Sequence, residues 1–130
     1  MKLRIRGNSL RLRLTRTEIA ELSANGAIEN RCQLGVHSEH TLVYRLELSV
    51  AAIRTETVFQ NSQILIRLPV TEGIAWAQGK QVGIYAEESW GLKLAIEKDF
   101  KCLDPRLDED ESDAFENPHG TSHAACAAAD

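Results

Sequence analysis

Basic side chains recur at alternate positions near the start of the chain. Lys2, Arg4 and Arg6, then Arg11 and Arg13, are separated by apolar or small neighbours, and Arg16 follows. A guanidinium stays charged at any relevant pH and donates in a planar fork that matches phosphate, so a row of them on one face is chemistry for holding a polyanion. The same row would also serve as a solvated strand face that keeps a sheet edge from aggregating. Toward the other end, Asp108, Glu109, Asp110 and Glu111 are consecutive carboxylates. A calcium loop counted from Asp108 needs glycine at its sixth position and a carboxylate at its twelfth, where Asp113 and His119 stand, so that pattern fails. The run is read as an acidic tail and a candidate surface for a protein partner.

Other residues suited to chemistry lack a supporting arrangement. His119, His123 and Cys126 have spacings that zinc could use, with Cys102 as a fourth ligand. They fall in a Gly/Ser/Ala-rich terminus, and no metal is assigned to them. Neither Gly-x-Ser-x-Gly nor Gly-x-x-x-x-Gly-Lys-Ser/Thr occurs, so no nucleophile elbow or phosphate loop is in view. Glu87-Glu88 falls at an expected hairpin turn, where solvation accounts for both. His37 and His40 fall in a polar loop, and Cys32 reads as a small buried residue. The seven aromatic residues are expected to be mostly buried, which disfavours a reader of stacked bases. The expectation is a non-enzymatic protein without a cofactor.

Charge is segregated along the chain. The 15 Lys and Arg against 19 Asp and Glu give −4 over 130 residues. Residues 1–17 carry six basic groups and no acid, whereas residues 97–116 carry nine acids and three basic groups. With 43% hydrophobic and 26% charged residues the composition is that of a globular domain, which excludes a fully disordered chain, a collagen-like fibre and a disulfide-dense miniprotein. Three cysteines in irregular spacing suit reduced thiols. The opening residues alternate where a secretion signal needs an apolar run, and no run approaches the roughly 20 residues that span a bilayer. A soluble cytoplasmic protein is expected.

The elements that must position these residues can be read from periodicity. Leu3 and Ile5, then Leu10, Leu12 and Leu14, alternate with basic residues at the period of half-buried strands, and Gly7-Asn8 suits a two-residue hairpin turn. That register sets Ile5 opposite Leu10 and Arg4 opposite Arg11, with Lys2, Arg4, Arg6, Arg11 and Arg13 on the solvent side. Thr15-Arg16-Thr17-Glu18 fits a capping box, and the helix after it carries Ile19 and Leu22 inward and closes at Asn25-Gly26. A strand over 27–34 and an alternating one through Leu42, Tyr44, Leu46, Leu48 and Val50 follow, joined by 35–40. The second half replays this order. Gln60-Asn61-Ser62 answers Gly7-Asn8-Ser9, Arg67-Leu68 answers Arg13-Leu14, Thr71-Glu72 answers Thr17-Glu18 and Gly79 answers Gly26, at spacings of 53 or 54 residues. Val82, Ile84 and Ala86, a turn near Ser89-Trp90-Gly91, and Leu92, Leu94 and Ile96 complete it. The expected fold is α+β and mostly β: two ββαββ repeats, about 1–50 and 51–102, form one compact swapped-hairpin-like domain, and 103–130 form a flexible acidic tail.

Gly7-Asn8-Ser9-Leu10-Arg11-Leu12-Arg13-Leu14 followed by a helix resembles the AbrB-like and MazE-like swapped-hairpin superfamily. Ile66-Arg67-Leu68-Pro69 before the second helix, and Gly79-Lys80-Gln81-Val82-Gly83-Ile84-Tyr85 after it, are similar to the same family pattern. The resemblance implies intertwined units, here two copies within one chain. It also implies DNA binding through Lys2, Arg4, Arg6, Arg11 and Arg13 and, for the antitoxin branch, an acidic tail that wraps a protein partner. Thr15 stands where the family has proline, and Ile64 and Ile66 stand where the second copy needs Arg11 and Arg13. One basic arm is therefore expected instead of two. The opening also resembles a small bacterial family of uncharacterised proteins that begin Arg-Ile-Arg-x-Asn-Ser-x-Arg-x-Arg-Leu and end in an acidic segment.

Two functions remain open at this point. One is a DNA-binding or antitoxin-like regulatory module in which Lys2, Arg4, Arg6, Arg11, Arg13 and Arg16 contact duplex DNA. The other is a protein-interaction module whose basic face receives an acidic partner or the chain's own Asp108–Glu111. Either would be a monomer or a homodimer, with no membrane contact.

Overall fold

A computed structural model describes residues 1–100 of the chain. Cys102, the Asp108–Glu111 run, His119, His123 and Cys126 lie outside the described residues. Ten elements follow one another: β1 Lys2–Arg6, β2 Ser9–Leu14, α1 Arg16–Asn25, β3 Ala27–Gln33 and β4 Thr41–Ser49, then β5 Glu56–Gln60, β6 Gln63–Pro69, α2 Val70–Gln78, β7 Gly83–Glu87 and β8 Lys93–Lys98. The protein is α+β and mostly strand, and Met1–Asp99 form one compact unit.

Local sequence accounts for most element boundaries. Gly7 takes the positive φ that lets β1 turn into β2, with Ile5 opposite Leu10 and Arg4 opposite Arg11 as the alternation requires. Thr15 caps α1 by accepting from Glu18 N, and the Glu18 carboxylate accepts from Thr15 N at 2.9 Å, closing the capping box. Gly26 ends the helix at φ 80. At the corresponding place in α2, Pro69 precedes the first turn without a side-chain cap, and Gly79 is extended, so it shares the position of Gly26 but not its conformation. Val50 lies beyond the end of β4 and is exposed.

The strands form two four-stranded sheets whose order crosses the halves of the chain. The first sheet runs β1-β2-β8-β7 and the second β3-β4-β6-β5. Each sheet therefore takes one hairpin from each half, joined by a parallel pairing of β2 with β8 or of β4 with β6. The registers correspond pair for pair. Lys2–Arg13 in the first sheet has its counterpart in Glu56–Arg67, Ser9–Lys93 in Gln63–Val43, and Gly83–Glu97 in Ala27–Glu47. Even the backbone bond from Lys93 N to Asn8 O reappears as Val43 N to Ser62 O, both at 3.0 Å.

This correspondence corrects two expected equivalences. The first turn, Gly7-Asn8, matches Asn61-Ser62 and not Gln60-Asn61, because the strands pair one residue further along. Ile64 and Ile66 match Leu10 and Leu12 in the core, and the counterparts of Arg11 and Arg13 are Leu65 and Arg67. Alternation decides the matter, because a one-residue slip moves every side chain to the opposite face.

The inward faces of both sheets and both helices share one core. Leu12, Leu14, Leu22, Leu46, Ile66, Leu68, Trp76 and Ile96 are almost completely buried. Each contributes on the order of 2 kcal/mol against exposure. Trp76 satisfies its indole by donating to Val82 O at 3.2 Å. Gly73 lets α2 approach β4, since a Cβ there would fall 2.3 Å from a Leu48 methyl group.

Three expectations about burial are overturned. Cys32 is exposed, because β3 lies at the edge of the second sheet and the residue falls near the strand's end. Phe59, Tyr85, Trp90 and Phe100 are exposed as well, leaving Trp76 and the half-buried Tyr44 as the covered aromatics among the described residues. Glu88, expected in solvent, is 3% exposed. Its carboxylate pairs with Arg54 at 2.5 Å and accepts from Thr57 N at 3.0 Å, tying the start of β5 to the turn after β7.

Candidate nucleic-acid interface

The hairpin register places Lys2, Arg4 and Arg6 of β1 beside Arg13, Arg11 and Ser9 of β2 on the outer face of the first sheet. Pairing with β8 and β7 adds residues that no local pattern connects to them. Across the sheet the rows read Lys2, Arg13, Glu97, Gly83; then Arg4, Arg11, Ala95, Tyr85; then Arg6, Ser9, Lys93, Glu87. The face thus carries six cations against Glu87 and Glu97, with Asp99 just beyond β8. Arg16 is exposed and opens α1, two residues past the end of β2. All five basic strand residues expected to share a side do so, while Arg16 stands apart from the sheet.

Glu97 organises the centre of this face. One carboxylate oxygen takes Arg11 Nε at 3.2 Å and Arg13 Nε at 3.6 Å, and the other accepts from the Tyr85 hydroxyl at 2.7 Å. That hydrogen bond, with partial burial and the nearby carboxylate charge, raises the Tyr85 pKa and keeps the phenol a donor. Lys2 pairs with Asp99 at 3.2 Å. Such half-exposed pairs are worth less than about 1 kcal/mol each, so they orient the arginines more than they bind them down.

Tyr85 lies over the sheet, and Gly83 makes room for it. A Cβ at Gly83 would sit 2.9 Å from the Tyr85 hydroxyl and 2.9 Å from Ile96 O. The tyrosine nevertheless stays 62% exposed. Period-two alternation of Gly83, Tyr85 and Glu87 against Ile84 and Ala86 signals that Tyr85 faces outward. What brings it to the arginines is a parallel pairing between segments more than 80 residues apart.

The outer face of the second sheet has a different electrostatic character. Arg31, Glu29, Arg45, Glu47, Arg67 and Glu56 form an alternating chain of ion pairs across all four strands, with successive contacts of 3.4, 3.7, 3.1, 3.1 and 3.6 Å. Three cations meet three carboxylates there, and that network is neutral. Among the described residues no group of three or more His, Cys, Asp or Glu could hold a metal ion, and no helix is long and apolar enough to cross a membrane.

Fold and face together define an α+β, mostly β protein with one basic sheet surface and one charge-balanced surface. The chain belongs to a family of unknown function, DUF7009, whose profile matches residues 1–119. No curated protein and no solved structure matches it.

Proposed function

We propose that this protein is a non-enzymatic DNA-binding regulatory module, and that the outer face of the first sheet is the surface that meets the phosphates. The observation that carries this reading is the convergence of Lys2, Arg4, Arg6, Arg11, Arg13 and Lys93 on one face, while the corresponding face of the second sheet balances its charges internally. The exchange of hairpins between the halves supports an internal duplication with the swapped-hairpin arrangement of AbrB-like proteins. A duplicated unit in which only one copy kept its arginine row would contact a single stretch of nucleic acid instead of a palindrome.

The test is retention of the full chain on DNA over a salt series. Replacing Arg4, Arg11 and Arg13 together by Gln is expected to abolish salt-dependent retention, each lost phosphate contact lowering the slope of log K against log salt by about 0.7 to 0.9. Arg31→Gln, on the balanced face, is expected to leave retention unchanged. Equal retention of the triple variant and the native chain would overturn the reading.

A second reading is favoured by Glu97 and Asp99, which show that this face already accepts carboxylates. In it the arginines receive an acidic protein partner. Loss of capture of a poly-glutamate probe by the triple variant, with no DNA retention by either chain, would select it.

A further inference from the structure

The basic face contains an aromatic ring whose placement points to a more specific ligand. Tyr85 is 62% exposed and lies over Gly83, tethered at its hydroxyl by Glu97. A tyrosine on a strand ordinarily stands away from the sheet. Here the tether and the missing Cβ hold it down, leaving ring surface open to solvent. Its neighbour across β8 is Ala95, which has nothing beyond Cβ, and the next residue in that row is Arg11, followed by Arg4. Tyr85 and Arg11 both lean toward Glu97 of the neighbouring row, so the phenol and a guanidinium meet the two oxygens of one carboxylate, with the small Ala95 between their backbones and Arg4 beyond Arg11. Strands about 4.8 Å apart set the Arg11 and Tyr85 backbones roughly 10 Å apart, and their shared contact with Glu97 brings the side-chain ends closer.

We infer that the outer face of the first sheet binds single-stranded nucleic acid, with one base stacked on Tyr85 and the adjoining phosphates on Arg11 and Arg4. The inference rests on the nucleic-acid reading above and narrows it to one strand class. Charge complementarity supplies the phosphate contacts, and the exposed ring supplies what a duplex has no use for, because paired bases keep their faces stacked on each other. Every base has a π-face, so such a platform is tolerant of sequence. The Glu97 carboxylate beneath does not repel the strand as a bare charge would, since Arg11 and Arg13 both lie against it. Trp90, 60% exposed, lies in the turn between β7 and β8 at the Arg6 end of the sheet, near the Gly7-Asn8 turn whose Asn8 O accepts from Lys93 N.

The experiment measures anisotropy of a labelled oligodeoxythymidine of about 12 nucleotides and of a labelled duplex of equal length, with the full chain at low salt. The single strand is expected to bind more tightly. Tyr85→Leu, which still covers Gly83, is expected to weaken single-strand binding roughly ten-fold or more while leaving any duplex binding unchanged, and Tyr85→Phe to retain most of it. A single-strand affinity indifferent to Tyr85→Leu, or duplex bound more tightly than single strand, overturns the inference. Arg11→Gln separates this from failure of the broader reading. If that variant weakens both probes while Tyr85→Leu affects neither, DNA binding stands and the stacking platform falls; if neither probe binds the native chain, both fall. Photocross-linking of a bromodeoxyuridine-substituted strand to the native protein gives a measurement free of folding effects. Attachment at Tyr85 is expected, and attachment confined to other residues counts against the proposal.

Discussion

Glu88 is the residue whose environment departs furthest from its place in the sequence. Two adjacent glutamates before a glycine turn read as solvated, yet one of them ends β7 in solvent and the other is buried against Arg54 and the Thr57 amide. Burial raises the Glu88 pKa most among the individual influences. The Arg54 contact, the Thr57 N–H and the Arg54 charge together outweigh it and hold the carboxyl below its ordinary value. A carboxylate with a depressed folded-state pKa stabilises the fold above its unfolded pKa, near 4.3, and loses that contribution as the pH falls through the folded value. Glu88→Gln is therefore expected to cost about 1 to 2 kcal/mol at neutral pH and progressively less in acid. Urea unfolding of both chains at pH 7 and at pH 3 checks this. A deficit that stayed constant between the two would show that the charge contributes nothing.

At the scale of elements, the two first hairpins solve the same problem with different residues. The turn into β2 uses Gly7, whereas the turn into β6 holds Asn61 at φ 50 and Ser62 at φ 59. Asparagine tolerates that region, but serine has a Cβ that crowds the following carbonyl, at about 1 kcal/mol. Ser62→Gly would create the Asn-Gly pair that such turns favour, offset in part by the greater unfolded-state freedom of glycine. A net gain of about 0.5 kcal/mol is expected as a higher thermal midpoint, and a lower midpoint would mean that the serine is not strained. The Gly7-Asn8 turn, the Thr15 capping box and the Gly26 stop were legible because their causes lie within four or five residues, whereas the turn into β6 lies one residue later than the match to Gly7-Asn8-Ser9 suggested. So was the arginine row, since strand alternation alone puts Lys2, Arg4, Arg6, Arg11 and Arg13 on one side. Tyr85, Ala95 and Glu97 were not placed beside them by any local signal, because their partners lie on the far side of the sequence.

The whole molecule is held by pairings that cross from one half of the chain to the other. Neither half has a complete sheet, since β2 needs β8 and β6 needs β4, and an isolated hairpin is marginal in water. Fragments 1–50 and 51–130 are each expected to lack stable sheet structure and to regain it on mixing as a one-to-one complex, read by circular dichroism and by gel filtration. If either fragment folded alone, the crossing pairings would not be what completes the core. The sequence by itself determined the strands, the caps of α1 and the sidedness of the arginines, because period-two alternation and capping act over a few residues. Only the tertiary structure decided that the arginine hairpin would lie beside β8 and β7, that Tyr85 would be tethered to Glu97 beside it and that Glu88 would be buried. Those outcomes depend on contacts between distant segments, and each of the four hairpins offers an apolar face that would satisfy more than one partner until the full core is assembled.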